Sequence, residues 1–207
     1  MKKVLILVAA LFVGLQAHAQ LQADGGYQHI FEIARQGNQS ETDGWDGLFV
    51  GARYNIRLSS LVDGLSIQPG LNFSFAWSGN SNIKNVYARN IAINIPVHVA
   101  YTYAVTSDFK VIGFAGPTLQ FGLLNQVVNK TDNPTTYTNL YKQYTVAGTT
   151  VAARTPFNVY LGLGAGFVLL ERFTLNAGID FGLLNLTTGT GYKINWNVLK
   201  VGVGYIF

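Results

Sequence analysis

A strict two-residue alternation of apolar and polar side chains runs through much of this 207-residue sequence. In residues 91–103 the odd positions carry isoleucine, valine and tyrosine, whereas the even positions carry small or polar residues. Residues 64–77 and 172–184 repeat the pattern. Because successive side chains of a β-strand point to opposite faces, this period predicts strands with one apolar face.

The alternation predicts eight strands, each at least as long as the roughly 9–11 residues that a tilted membrane strand needs. The connections alternate between short turns and mostly longer loops, the longest being 125–155. An even strand count with this alternation is typical of outer-membrane barrels. The predicted strands are 24–35, 45–58, 64–78, 88–104, 109–124, 156–169, 172–186 and 193–207.

Residues 1–19 have the layout of a secretory signal peptide. Lys2 and Lys3 precede an apolar segment, 4–15, and the small-x-small motif 17–19 predicts cleavage before Gln20. The apolar segment is too short to span about 30 Å as a helix. We therefore expect an exported protein whose residues 20–207 form one barrel domain. Loss of the two lysines lowers the formal net charge from +4 to +2.

The composition favours a membrane protein over a soluble one. Charged residues make up 12% of the chain, against about 25% in typical soluble domains. A soluble lipocalin-type barrel would need a charged exterior, whereas here the less apolar strand face is mostly Gly, Asn, Ser, Ala and Thr. With no cysteine and no basic stripe, we expect neither disulfides nor nucleic-acid binding. The predicted fold is an all-β, eight-stranded antiparallel up-and-down transmembrane β-barrel.

Aromatic residues lie near the ends of several predicted strands. Such residues form girdles at the two lipid–water interfaces of membrane proteins. The predicted interface aromatics are Trp77, Tyr87, Tyr101, Tyr103, Tyr205 and Phe207.

The final segment "KVGVGYIF" resembles the C-terminal assembly signal of outer-membrane proteins, written polar-x-Gly-x-x-aromatic-x-aromatic. Lys200, Gly202, Tyr205 and Phe207 fill its four defined positions. In that group of proteins the barrel-assembly machinery recognises the final strand. The resemblance therefore implies this machinery as a partner during biogenesis.

More broadly, residues 20–207 resemble the small porin-family outer-membrane β-barrels common in Bacteroidota. The resemblance rests on the Gly-rich eight-strand pattern and on the segments "NIPVHVAYTY" (94–103), "GFAGPTLQFGLL" (113–124) and "GYIF" (204–207). It implies a bacterial outer-membrane location and the barrel architecture. Small members of that family have no single established activity.

The inward face carries few charges, of both signs, and charges away from water need partners. Asp180 and Lys200 are equally spaced about residue 190, and Glu32 and Arg53 have a similar relation about the first loop. We expect a lumen-closing polar network; a small-solute path is the alternative. The charged residues of the inward face are Glu32, Arg53, Arg57, Lys110, Arg172, Asp180 and Lys200, and His98 joins them as a lumen-facing polar residue.

A row of glycines follows Tyr160 on the inward face, at positions 162, 164 and 166. One wall of the lumen is therefore expected to lack side chains. The glycines either admit bulky groups such as Arg53, Arg57 or Tyr160, permit strand bending, or line a small cavity.

Catalytic, metal and cofactor sites are not expected. Neither His29 nor His98 stands in a His-x-Ser arrangement like that of the lipid A deacylases. These are the two histidines of residues 20–207, and two histidines without cysteine make a poor metal-binding set. A lipid-modifying enzyme is kept as the least favoured alternative.

Loop 125–155, rich in Thr, Asn and Tyr, either binds a surface ligand or extends the barrel through a hairpin at 144–151. The predicted function is a monomeric, non-enzymatic outer-membrane barrel with a largely plugged lumen. Its role would be envelope integrity or surface interaction, and the alternative is a small-solute diffusion pore.

Overall fold

A computed structural model describes residues 19–79, 85–131, 133–146 and 148–207. The predicted signal peptide lies outside the described residues, apart from Ala19. The strands, in chain order, are β1 (Ala19–Gln36), β2 (Gln39–Arg57), β3 (Leu65–Gly79), β4 (Val86–Ala104), β5 (Phe109–Asn129), β6 (Thr136–Asn139), β7 (Tyr144–Val146), β8 (Thr149–Val151), β9 (Phe157–Leu169), β10 (Phe173–Gly182) and β11 (Tyr192–Ile206).

Eight long strands close into a ring, in the order β1, β2, β3, β4, β5, β9, β10 and β11. Every pairing is antiparallel, and β11 closes the ring against β1 in a register that places Gly26 opposite Gly202. The predicted eight-stranded antiparallel barrel is confirmed. The short β6 pairs with the outer part of β5, while β7 and β8 form a separate hairpin.

The two ends of the barrel differ. We call the end with connections 58–64, 105–108 and 170–172 the turn end. The opposite end, which carries connections 37–38, 130–156 and 183–191, is the loop end.

The first connection differs from the sequence prediction. Residues 36–44 were expected to form a loop, but β1 and β2 stay paired up to Gln36 and Gln39. Only Gly37 and Asn38 form the turn, and Gly37 adopts the positive φ of 57° that such a tight turn requires. Both faces of this hairpin tip are polar, so the hydrophobic pattern did not mark the strand extension.

Large apolar side chains face outward on all eight long strands, where a soluble protein would place charges. Within the described residues we find no helix of the length and apolarity needed to cross a membrane. One exposed member of this apolar belt on each long strand, taken around the ring, is Tyr27, Leu48, Leu71, Val99, Leu123, Leu163, Leu175 and Val203.

The six predicted interface aromatics lie near the ends of three strands. Trp77 and Tyr87 lie at the loop end, and the other four at the turn end. Tyr205 contacts Phe173 and Phe207 edge-on, with ring centroids 5.5 and 5.1 Å apart. They thus occupy two levels, one at each edge of the apolar belt.

Candidate functional site: the lumen and its loop-end cover

An apolar cluster fills the lumen near the loop end. The indole rings of Trp45 and Trp196 lie 5.6 Å apart, on inward-facing positions of β2 and β11. Side chains from three other long strands and from the last loop pack around them. We call this cluster the apolar layer; it consists of Ile30, Trp45, Ala76, Tyr160, Leu186, Ile194, Trp196 and Val198.

An ion pair joins the barrel wall to the long loop beside this layer. Arg154 donates from both terminal nitrogens to the two carboxylate oxygens of Glu32, each over 2.7 Å. Trp196 Nε1 donates a third hydrogen bond to Glu32, over 2.8 Å. The Glu32 side chain is only 9% exposed and that of Arg154 17%, so the bidentate pair is largely shielded from water.

The loop segment that carries Arg154 crosses the loop end of the barrel. We call residues 140–146 and 148–156 the strap. Its main chain is held at three points: Leu140 N donates to Asn125 O, Arg154 N to Leu140 O and Thr155 N to Leu186 O, over 2.7–2.8 Å. The strap therefore belongs to the folded barrel, and part of it forms the hairpin of β7 and β8.

Tyr141 anchors the first part of the strap. Its hydroxyl oxygen accepts a hydrogen bond from Asn90 Nδ2 over 3.3 Å and occupies the space that a side chain at Gly122 would need. Burial raises the pKa of Tyr141, and burial likewise raises the pKa of Tyr144. Both hydroxyls therefore stay neutral at any physiological pH.

A chain of hydrogen bonds starts at Tyr160 of the apolar layer and runs along the inner wall of the barrel. Tyr160 donates to Gln120 Oε1 over 3.0 Å, Gln120 Nε2 to Asn94 Oδ1 over 3.1 Å, and Asn94 Nδ2 to Ser74 Oγ over 3.0 Å. These side chains are buried. The network links β3, β4, β5 and β9 through the barrel interior, where unpaired polar groups would be costly.

Two further ion pairs lie in the middle of the lumen. Lys200 Nζ is 2.7 Å from Asp180 Oδ2, and Arg53 donates to Asp24 over 2.8 Å. The expected pairing of Glu32 with Arg53 is therefore wrong, since the register of the long first hairpin places these residues far apart along it. Sequence reasoning missed Asp24, although it shares the inward face of β1 with Glu32.

The remaining charged residues of the inward set lie at the turn end. Arg57 is exposed and donates to Gln20 Oε1 over 3.0 Å. Lys110 pairs with Glu171 over 2.9 Å, and Arg172 donates to the Tyr205 hydroxyl over 2.9 Å. These contacts surround the barrel mouth rather than crossing its centre.

His98 is a buried lumen residue. Its ring stacks on Phe114 with centroids 5.3 Å apart, and its Nε2 lies 3.4 Å from Thr118 Oγ1. These contacts are those of a packed, hydrogen-bonded side chain. Across the part of the chain that the structure describes, no cluster of three or more His, Cys, Asp or Glu residues could hold a metal ion.

The glycine wall of β9 accommodates different groups from those expected. A side chain at Gly162 would collide with the Asp180 carboxylate, and one at Gly164 with the Phe114 ring. Gly166 similarly faces Asn176. These glycines do admit larger side chains, as expected, but the choice of Arg53, Arg57 or Tyr160 was wrong.

The lumen holds open space at the turn end. A polar cavity of about 490 Å³ opens there and is bounded by Gln22, Arg57, Gln68 and Thr174. The mid-lumen, between the two ion pairs, retains a space of only about 50 Å³. The lumen is thus narrow in its centre and open towards the turn end.

Comparison with known proteins agrees with this architecture. Residues 5–207 match the family model described as "Outer membrane protein beta-barrel domain". The structure of Ail, the attachment invasion locus protein of Yersinia pestis, in complex with the heparin analogue sucrose octasulfate, is similar with a TM-score of 0.50 at 9% identity, over 92% of this chain and 99% of that chain.

Two further solved structures are similar at lower scores. OprG from Pseudomonas aeruginosa has a TM-score of 0.42 at 11% identity, over 92% of this chain and 96% of that chain. The outer membrane enzyme PagL has a TM-score of 0.44 at 10% identity, over 87% and 98%. A search of curated proteins finds no match.

Proposed function

Because the chain belongs to the outer-membrane protein β-barrel domain family, we propose that it is a monomeric, non-enzymatic barrel with a closed lumen. Its role is to support envelope integrity or to bind a partner at the cell surface. The family indicates the bacterial outer membrane as its location. In outer-membrane barrels the short turns face the periplasm, so the strap and the other long connections face the outside.

The observation that carries this proposal is the filled loop end. The apolar layer occupies the lumen between β1, β2, β9 and β11, and the Glu32–Arg154 pair holds the strap beside it. Eight strands enclose an interior that side chains can fill. A hydrated ion would have to displace packed tryptophan rings, and the polar groups beside them, the Tyr160 hydroxyl and the Glu32 carboxylate, are already engaged in hydrogen bonds.

The biogenesis we propose follows the sequence prediction. The signal peptide, residues 1–19, is removed during export, and the barrel-assembly machinery recognises the last strand through Lys200, Gly202, Tyr205 and Phe207. The position of β11 supports this, because it pairs with β1 and closes the ring.

The surface-interaction role draws on the loop end. Tyr137 is 63% exposed, and an exposed tyrosine offers amphipathic contact area at little entropic cost. The anchored strap adds a fixed rather than a fluctuating surface.

Single-channel recording in a planar lipid bilayer tests the closed lumen. The refolded protein, with insertion verified by its heat-modifiable mobility in SDS gels, is expected to give no discrete current steps. Reproducible steps of one size would contradict the proposal and favour a small-solute pore, for which the turn-end cavity is the supporting observation. A change in the lipid A of cells expressing the protein, absent from a deletion strain, would instead favour a lipid-modifying enzyme.

A further inference from the structure

The turn-end cavity contains two hydrogen-bond acceptors that the rest of the barrel leaves unused. Gln68 Oε1 on β3 and Asn55 Oδ1 on β2 are buried and have no hydrogen-bond partner among the described residues, and both residues line the cavity. Gln68 as a whole is only 2% exposed. We call these two oxygens the free acceptors. A buried oxygen without a partner costs free energy, so a molecule inside the cavity has to complete them.

An anion does not fit the free acceptors. A carboxylate or phosphate has no hydrogen to donate to them, and the cations nearby are already engaged. Arg53 donates to Asp24 over 2.8 Å, Lys110 Nζ lies 2.9 Å from Glu171 Oε1, and Arg57 donates to a glutamine side chain over 3.0 Å. An anionic ligand would therefore have to break existing contacts.

A cation is equally unsuited. Asn55 lies between Arg53 and Arg57 on the inward face of β2, two positions from each, which is about 7 Å along the strand. A positively charged ligand on the Asn55 oxygen would be repelled by both guanidinium groups. The free acceptors therefore require a hydrogen from an uncharged group, a hydroxyl or an amide.

The remaining wall combines neutral polar groups with an apolar patch. Gln22, Thr102 and Thr174 contribute amide and hydroxyl groups. Ile112 and Val168 lie on the paired strands β5 and β9, at positions diagonal to each other, and both are buried at the cavity wall. A sugar ring matches this wall, because its hydroxyl groups form a polar rim around faces of apolar C–H groups.

We propose that the turn-end cavity binds an uncharged mono- or disaccharide. Sugar hydroxyls donate to Gln68 and Asn55, and a C–H face packs on Ile112 and Val168. The cavity volume of about 490 Å³ lies within the range of small-molecule sites, about 300–1,000 Å³. The mid-lumen beyond it retains only about 50 Å³, so the ligand has to be compact, and an extended peptide fits less well.

The site is distinct from the proposed surface role of the strap, which lies at the opposite end of the barrel. In the orientation proposed above, the cavity opens to the periplasm. Binding itself depends neither on that orientation nor on a closed lumen, so a failure of this proposal and a failure of the proposed function are distinguishable.

Saturation-transfer difference NMR of the refolded protein in lauryldimethylamine oxide tests the site. Detergents with sugar headgroups are avoided, because they would compete for the cavity. Glucose and maltose are the uncharged probes, and both are expected to bind saturably in the millimolar range. Gluconate and glucosamine, protonated in mildly acidic buffer, present similar hydroxyl groups with a negative or a positive charge. They are expected to bind more weakly by roughly tenfold or more.

The Q68L variant separates binding from a structural role. Leucine is of similar size and removes a free acceptor, so the stability in urea should stay unchanged or rise. The affinity for maltose should fall about fivefold in Q68L and about 25-fold in N55L/Q68L, since one hydrogen bond is lost at each position. The matched control Q39L makes the same change at an exposed position of the first hairpin tip and should leave the affinity unchanged.

Four outcomes would overturn the proposal. Absence of saturable glucose and maltose binding would show that the cavity holds water alone, and equal or tighter binding of gluconate or glucosamine would indicate a site for charged ligands. Tighter binding of the uncharged amide N-acetylalaninamide would replace the sugar by a peptide. Equal effects of Q68L and Q39L would place the binding elsewhere. Heat-modifiable mobility in SDS gels checks that each variant is folded.

Discussion

Replacing Glu32 with glutamine is expected to release the strap from the barrel while leaving the barrel folded. The carboxylate of Glu32 accepts both hydrogen bonds of Arg154 and one from Trp196. Glutamine keeps an acceptor for Trp196 but removes the charge that faces the guanidinium. Breaking a buried ion pair by removing one partner costs about 3–5 kcal/mol.

The expected cost here is below that range. The Arg154 side chain is already 17% exposed, and opening of the strap lets the guanidinium return to water. We therefore expect the strap to lose about 2–3 kcal/mol of local stability, which multiplies its open population by roughly 30–150. The three main-chain hydrogen bonds of the strap would re-form whenever it closes.

Limited trypsin digestion measures this change directly. Trypsin cleaves after Arg154 only when the strap opens, whereas Lys130 is exposed and lies outside the strap, so cleavage after Lys130 serves as an internal reference. When opening and closing are fast compared with cleavage, the cleavage rate follows the open population. Cleavage after Arg154 should rise in the E32Q protein by the same roughly 30–150-fold factor, with cleavage after Lys130 nearly unchanged.

The reasoning fails if cleavage after Arg154 changes less than threefold, because the pair would then add little to the closure of the strap. It also fails if cleavage after both residues rises equally, since this would indicate general destabilisation of the barrel. The R154M and E32Q/R154M proteins complete a double-mutant cycle, followed by hydrogen exchange of the strap amides, which reports a coupling energy without relying on cleavage at residue 154.

Three further predictions concern the lumen, the turn end and assembly. The D180N substitution leaves Lys200, which is 21% exposed, without its charge partner and should lower the free energy of unfolding, measured by urea denaturation, by about 2–3 kcal/mol. A D180N/K200M protein should recover part of this loss. An unchanged stability of the D180N protein would contradict the pairing. The hydrogen bond from Lys110 holds the pKa of Glu171 below its ordinary value near 4.5, so this contribution to stability is present above pH 4.5 and is lost as the pH falls through the lower, folded-state pKa. Between pH 6 and 3 the melting temperature of the E171Q protein should therefore fall less than that of the wild type. Identical pH profiles of the two proteins would argue against a contribution of this pair. Deletion of Phe207 should sharply reduce the heat-modifiable, folded protein in isolated outer membranes, and normal assembly of the shortened chain would refute its part in recognition.

The architecture could be predicted from the sequence because membrane and lumen impose opposite demands on alternate residues. On β4 outward isoleucines and valines alternate with inward residues such as Asn94 and His98. This period of two residues can be recognised in the sequence without any tertiary information. The same logic failed at the tip of the first hairpin. Both faces of residues 36–44 contact polar surroundings there, so continued pairing leaves no hydrophobic signature.

The loop-end cover could not be predicted for a different reason. Glu32 and Arg154 are 122 positions apart, and nothing in the local sequence of either residue identifies its partner. Asp180 and Lys200 were easier, because they lie on adjacent antiparallel strands at nearly equal distances from the connecting loop; the observed register places Asp180 opposite Val198, so the two charges meet as diagonal neighbours. Asp24 could have been found by extending the inward face of β1 backwards from Glu32.

The order of the layers along the lumen follows from where water can reach. The cavity at the turn end reaches Arg53, and the small mid-lumen space is lined by both the Arg53–Asp24 and the Lys200–Asp180 pairs. The side chains of Arg53 and Lys200 are 15% and 21% exposed. Partial hydration lowers the desolvation cost of these pairs. Towards the loop end Trp45 and Trp196 fill the lumen, and the charged pair beside them, Glu32–Arg154, keeps part of the Arg154 side chain exposed. Opening the barrel to ions should therefore depend on truncating these two tryptophans, whereas breaking a charge pair alone would change stability and leave the apolar layer in place.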